Sequence, residues 1–203
     1  MAATAAGARL TEGHRLAQSR LGASVVRQMA GLWPLLDPED LDATVERWLR
    51  LALPVVRSQH DTSARLAAAY LRTFRSIEAP DLPPLPPGPL PAFNPAQATT
   101  SLTVTGPVRV KLATARGVQL AQASDLGLAQ SASAAMRLAL NGGRDAIRQT
   151  ASADPRRTGW ERALSGDPCE FCQGLADDAA AGDDSAAFVT HDGCGCEPVP
   201  VYG

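Results

Sequence analysis

Cysteine is missing from the first 168 residues of this 203-residue sequence, and neither sign of charge prevails in it. Long apolar runs are missing too. No stretch approaches the ~20 consecutive apolar residues that a membrane-spanning helix needs. The opening Met-Ala-Ala-Thr-Ala-Ala-Gly has neither the basic nor the apolar region of an export signal. The expectation is a soluble protein made in the cytoplasm. With 19 Lys and Arg against 21 Asp and Glu, the formal charge is -2. Such a balance sets up no global basic field for nucleic acid or an anionic membrane, so any nucleic-acid contact has to be local. A reducing compartment disfavours stable disulfides, which moves whatever cysteines there are toward metal or redox chemistry.

All four cysteines fall in the last 35 residues, as Cys169-Glu-Phe-Cys172, an 18-residue gap, and His191-Asp-Gly-Cys194-Gly-Cys196. A C-x-x-C knuckle followed by H-x-x-C-x-C offers five soft or borderline donors where tetrahedral zinc takes four. Cys169 and Cys172 can address one ion across a tight turn, and His191 and Cys194 repeat that spacing. Gly193 and Gly195 let the backbone fold closely round a metal. One donor set is Cys169, Cys172, His191 and either Cys194 or Cys196. The other is all four cysteines, with His191 donating a hydrogen bond to a thiolate. Full occupancy by protein donors makes the site structural, holding Zn2+ with no open position for water. A redox or disulfide pair is the competing reading, weakened by the absence of a βαβ pattern around the C-x-x-C. Trp160, Phe171, Phe188 and Tyr202 bracket the cluster, and zinc with these rings replaces a conventional core. Asp177, Asp178, Asp183 and Asp184 lie in the Ala/Gly-rich gap and read as a solvated loop, since a calcium loop needs alternating oxygens.

The remaining chain reads as mainly α. Thr11 can cap a first helix with Leu16, Leu21, Val25, Met29 and Leu32 on its buried face, ended by Trp33-Pro34. Asp37-Pro38-Glu39-Asp40 opens a second, with Leu41, Val45, Trp48, Leu49 and Ala52 inward. Pro54 stops or kinks it before a third carrying Val55, Val56, Leu66, Tyr70, Phe74 and Ile77. Residues 1–78 are thus expected to form a helical bundle. Eight prolines between Ala79 and Pro95 make 79–97 a polyproline linker, able to hold its ends on the order of 50 Å apart. In 98–203, Ser101–Thr105 alternates like a short strand. Val108–Ala115 and Leu120–Leu140 read as helices, and Asn141-Gly142-Gly143 as an interruption before a continuation from Arg144 to Thr150. The knuckle occupies 160–203.

Thr158-Gly159-Trp160-Glu161-Arg162, the segment Ser165–Cys172, the run His191–Cys196 and the ending Pro198-Val199-Pro200-Val201-Tyr202 together resemble the MuF-like minor head proteins of tailed phages, most of all the actinobacteriophage branch. Leu35–Pro38, Arg47-Trp48-Leu49 and Ser63–Leu71 resemble that branch as well. In place of a basic, aromatic segment between the two donor pairs, this chain carries the acidic 177–184. The resemblance implies a virion protein of the phage head, assembled in the bacterial cytoplasm. It acts in head assembly or early DNA delivery, with the portal or major capsid protein as partner and packaged DNA as a further one. It implies neither a membrane nor a small-molecule substrate. Relatives are often labelled capsid maturation proteases, yet a protease needs a nucleophile with a positioned base or an open metal position. The histidines besides His191 are His14 and His60, in helical stretches without a motif. The expectation is a structural protein without catalytic residues. A nucleic-acid-binding zinc module, with Arg156, Arg157 and Arg162 on phosphates, is the remaining alternative.

Overall fold

The structure is a computed structural model that describes residues 3–177 and 188–203. It is mainly helical. Along the chain come α1 (Ala5–Leu32), a 3-10 turn (Trp33–Leu35), α2 (Leu41–Glu78), α3 (Pro95–Thr103), a π turn (Val104–Val108), α4 (Arg109–Ala115), α5 (Leu120–Ser152), β1 (Arg157–Ala163), α6 (Glu170–Asp177) and β2 (Glu197–Tyr202). Strands β1 and β2 pair antiparallel as a two-stranded sheet.

Helix α1 begins earlier than expected. Its cap is Thr4, whose Oγ1 accepts the Gly7 N–H at 3.1 Å and donates to Glu78 at 2.7 Å. Thr11 instead hydrogen-bonds the Tyr70 hydroxyl at 2.8 Å. The cap of α2 is Asp40, accepting from Ala43 N–H at 3.3 Å, so Pro38 lies outside the helix. Pro54 does not end α2. It sits on the solvent side, where water can satisfy the Arg50 carbonyl that proline leaves without a donor, so two of the three expected helices are one. Leu16 and Leu66, assigned to inward faces, are exposed. Leu16 falls off the arc that Val25 and Met29 bury, whereas Leu66 lies in line with Trp48, at the edge of the arc that Val56 and Phe74 bury.

Two further expectations are corrected. Ser101–Thr105 is helix, because Asn94 caps α3 by accepting from Gln97 N–H, Pro95 occupies its first turn, and Ala98 and Leu102 are fully buried. Packing overrides the β-branched run. Asn141-Gly142-Gly143 does not interrupt α5. A Cβ on Gly142 would strike the His60 carbonyl, and one on Gly143 would lie 2.7 Å from Ser63 Oγ and 2.8 Å from Gln18 Nε2. These glycines bring α5 against α2. At that crossing Ser63 Oγ donates to Gln18 Oε1 at 2.8 Å and accepts Gly143 N–H at 3.0 Å, all buried.

One apolar cluster joins Val25, Met29, Trp33, Trp48 and Val56 to Leu102, Val110, Ala135 and Leu138. A second joins Tyr70, Leu71 and Phe74 to Ile147, Val199 and Tyr202. Both draw on residues before and after the prolines, so the 79–97 segment does not hold apart two cores. It runs back over the bundle from the end of α2 to Phe93, whose ring lies 5.4 Å from that of His60. From Glu78 to His60 the helical rise is about 27 Å. Leu82 and Leu85 pack on the second cluster and Phe93 on the first. The strap is pinned by Arg75, which donates to the Pro83 carbonyl and, at 2.7 Å, to buried Asp154.

Candidate metal centre

Cys169 precedes α6 and Cys172 lies in its first turn, with Gln173 N–H donating to the Cys169 carbonyl at 3.0 Å. Helical winding brings both sulfurs to one side. The second arm is a tight turn in which Cys194 N–H donates to the His191 carbonyl at 3.0 Å. Gly193 takes φ 78° there, a conformation open to glycine at little cost. This turn is bound to α5 at three points. Gly193 N–H donates to the Ser133 carbonyl at 3.2 Å, Arg137 Nε to Asp192 at 2.6 Å, and Arg144 to the carbonyls of Cys194 at 2.6 Å and Cys196 at 3.0 Å.

All five donors come together as two overlapping triads, Cys169/Cys172/His191 and Cys172/Cys194/Cys196. Within each, the ligand atoms lie within 4.8 Å of one another, and either group could hold a metal ion. His191 Nε2 is 3.2 Å from Cys169 Sγ and 3.3 Å from Cys172 Sγ, while Cys172 and Cys194 sulfurs are 3.8 Å apart. A tetrahedral centre with Zn–S bonds of about 2.3 Å has S···S edges of about 3.8 Å, which the last pair matches. His191 Nδ1 donates to the Asp192 carbonyl at 2.8 Å, leaving the Nε2 lone pair for a metal, the arrangement usual for ligating histidines.

The thiols are electrostatically unequal. A hydrogen bond from Cys196 outweighs burial, and with Arg144 nearby Cys194 falls to about 4. Burial pushes Cys172 up to about 11. The hydrogen bond to Cys194, then burial, pushes Cys196 upward. Cys169 is lowered, chiefly by the backbone amide of Cys172. One ready thiolate beside a thiol donor is a partly prepared donor set, which a bound cation completes by displacing the remaining protons.

Beneath the cluster lies a part that sequence reasoning missed. Arg144, 1% exposed, spans the Cys194 and Cys196 carbonyls and Asn141 Oδ1. Its Nε is 3.9 Å from Glu197, equally buried. Burial raises the Glu197 carboxyl to about 7, against the pull of Arg144. The available signal was an arginine set directly after two glycines in an Ala-rich helix.

His14 is buried, stacked on Tyr70 at 4.4 Å, and His60 is buried beside Phe93. Arg162 lies over the Phe188 ring at 3.9 Å and donates to the Val189 carbonyl. Arg157 lies over Trp160 at 4.8 Å, and Arg156 pairs with Asp81. Arg157 and Arg162 are thus engaged within the fold, while Arg156 is exposed and its pair with Asp81, at 3.4 Å, lies largely in water. Asp177 ends α6, and Asp178, Asp183 and Asp184 lie outside the described residues.

Among the described residues no helix is long and apolar enough to cross a membrane. No curated protein and no solved structure matches the chain. The model of a viral gene family described as VG15 protein matches residues 3–203, so the chain, a phage protein, belongs to the VG15 protein family.

Proposed function

We propose that this protein is a minor head component of the virion. In this reading it binds the portal or the inner capsid surface during assembly, and a structural Zn2+ fastens its C-terminal end. The observation that carries the reading is family membership over nearly the whole chain, which puts helices and knuckle together in one viral protein. The MuF-like resemblance of the Trp160 segment, the two donor pairs and the ending supports the finer assignment. Cys169, Cys172, His191 and Cys194 hold the ion, and Cys196 donates its hydrogen bond to the Cys194 thiolate. Four protein donors close the coordination sphere, so the metal works as a staple.

Two experiments test this. Metal analysis of the purified protein should find one zinc per chain, lost in Cys172→Ala and retained in Cys196→Ser; a metal-free wild type removes the zinc assignment. Co-expression with the portal and capsid subunits of the same phage should give a stable complex with uncut partners. Trimmed capsid protein would favour the maturation protease, and no complex with either subunit would sink the head-component reading.

A further inference from the structure

The chain is slightly acidic overall, yet one face of its longest helix is basic. From Arg47 to Ile77 the sequence holds one acidic residue, Asp61. Arg47, Arg50, Arg57, Arg65 and Arg72 are all exposed. At 100° per residue they fall within an arc of about 80°, opposite the buried line of Trp48, Val56 and Phe74, and they extend over about 38 Å. Only Pro54, Asp61 and Ala68 intervene on that arc. Arg50 pairs with Glu46 at 2.9 Å, both largely in water, where such a pair is screened and weak. Arg65 reaches the Thr62 hydroxyl. Arg47, Arg57 and Arg72 have no hydrogen-bond or ion-pair partner among the described residues.

From this ridge we infer a binding surface for double-stranded nucleic acid, contacted through its phosphates. Guanidinium forks match phosphate oxygens in bidentate fashion, and the length of the row approximates one duplex turn of about 34–36 Å. The aromatic residues of α2, Trp48, Tyr70 and Phe74, are all buried, so the face offers no platform for stacking unpaired bases. It also lacks the apolar centre of a typical protein interface. Contacts confined to phosphates carry no sequence information. The inference does not rest on the head-component reading; it uses a different face and different residues.

The test is fluorescence anisotropy of the full chain with a 30-bp duplex DNA of arbitrary sequence, at several salt concentrations. About four phosphate contacts should cost roughly a hundredfold in affinity between 50 and 200 mM salt. The triple variant Arg47→Gln/Arg57→Gln/Arg72→Gln should make the log–log salt slope shallower by about 2.7, with circular dichroism showing the fold intact. A charge-matched triple on the solvent face of α1, Arg9→Gln/Arg20→Gln/Arg27→Gln, should leave most of the slope. Absence of binding at 50 mM salt, or equal losses from both triples, overturns the α2 site. Competition by polyglutamate as effective as that by DNA overturns it too, in favour of an acidic protein partner.

Discussion

His14 lies flat on Tyr70, and its Nε2 is buried without a hydrogen-bond partner among the described residues. Burial alone holds its pKa near 4, against an ordinary 6.5. The folded protein therefore keeps His14 neutral where the unfolded chain takes up a proton. The stability this group contributes is complete above pH 6.5 and erodes as pH falls toward 4, by up to about 3 kcal/mol. Urea titrations across that window should show a shallower decline for His14→Phe than for the wild type, and parallel declines would refute the assignment. Gly143 is the other sensitive residue. A methyl group there meets Ser63 and Gln18 from two other helices at once, so Gly143→Ala should cost on the order of 2–4 kcal/mol. A control at Gly31, where a Cβ meets nothing within 4 Å, should be neutral or slightly stabilising through helix propensity.

At the scale of elements, the strap depends on one buried ion pair. Asp154 accepts from Arg75 Nε and from the Arg156 amide, and Arg75 in turn holds the Pro83 carbonyl. Asp154→Ala leaves the Arg75 charge buried without its partner, a loss of about 3–5 kcal/mol. Limited proteolysis should then open the chain between Leu82 and Leu90 before any helix, whereas cleavage elsewhere would deny the strap its dependence on this pair. Sequence patterns located most of the helices because apolar spacing is a local property, and α4 lies where its residues predict. They misjudged Pro54, Ser101–Thr105 and Gly142-Gly143, three places where a local signal was outweighed by a distant neighbour or by solvent. The strands went unread because Pro198 and Pro200 argue against a sheet interior. In a two-stranded ribbon both strands are edges, and proline is tolerated there. The clustering of the five candidate donors was legible from spacing alone. Arg144 and Glu197 were not, since nothing local says that a charged pair will be buried under a knuckle some 50 residues downstream of the arginine.

At the scale of the molecule, the candidate metal centre and the bundle are joined through α5 and β2 but are built of different interactions. The knuckle cluster contains Cys172, Cys194 and Cys196 with Leu164 and Phe188. The two larger clusters are made mainly of helix side chains, with Trp160, Val199 and Tyr202 from the strands and Leu82, Leu85 and Phe93 from the strap. On the zinc reading proposed above, chelation at neutral pH should make all four thiols reactive, while the far-UV helical signal stays close to that of the untreated protein. Simultaneous loss of helix would show that the staple supports the whole fold. The shared core also bears on synthesis. Because α5 closes both large clusters, the hairpin of α1 and α2 emerges from the ribosome with its inner face uncovered. At about 5–20 residues per second, the stretch from Glu78 to Ser152 takes roughly 4–15 s to make. For that interval Val25, Trp48, Val56 and Phe74 line an open trough, which makes the nascent hairpin a client for chaperones and the moment of α5 release the step that commits the chain to its fold.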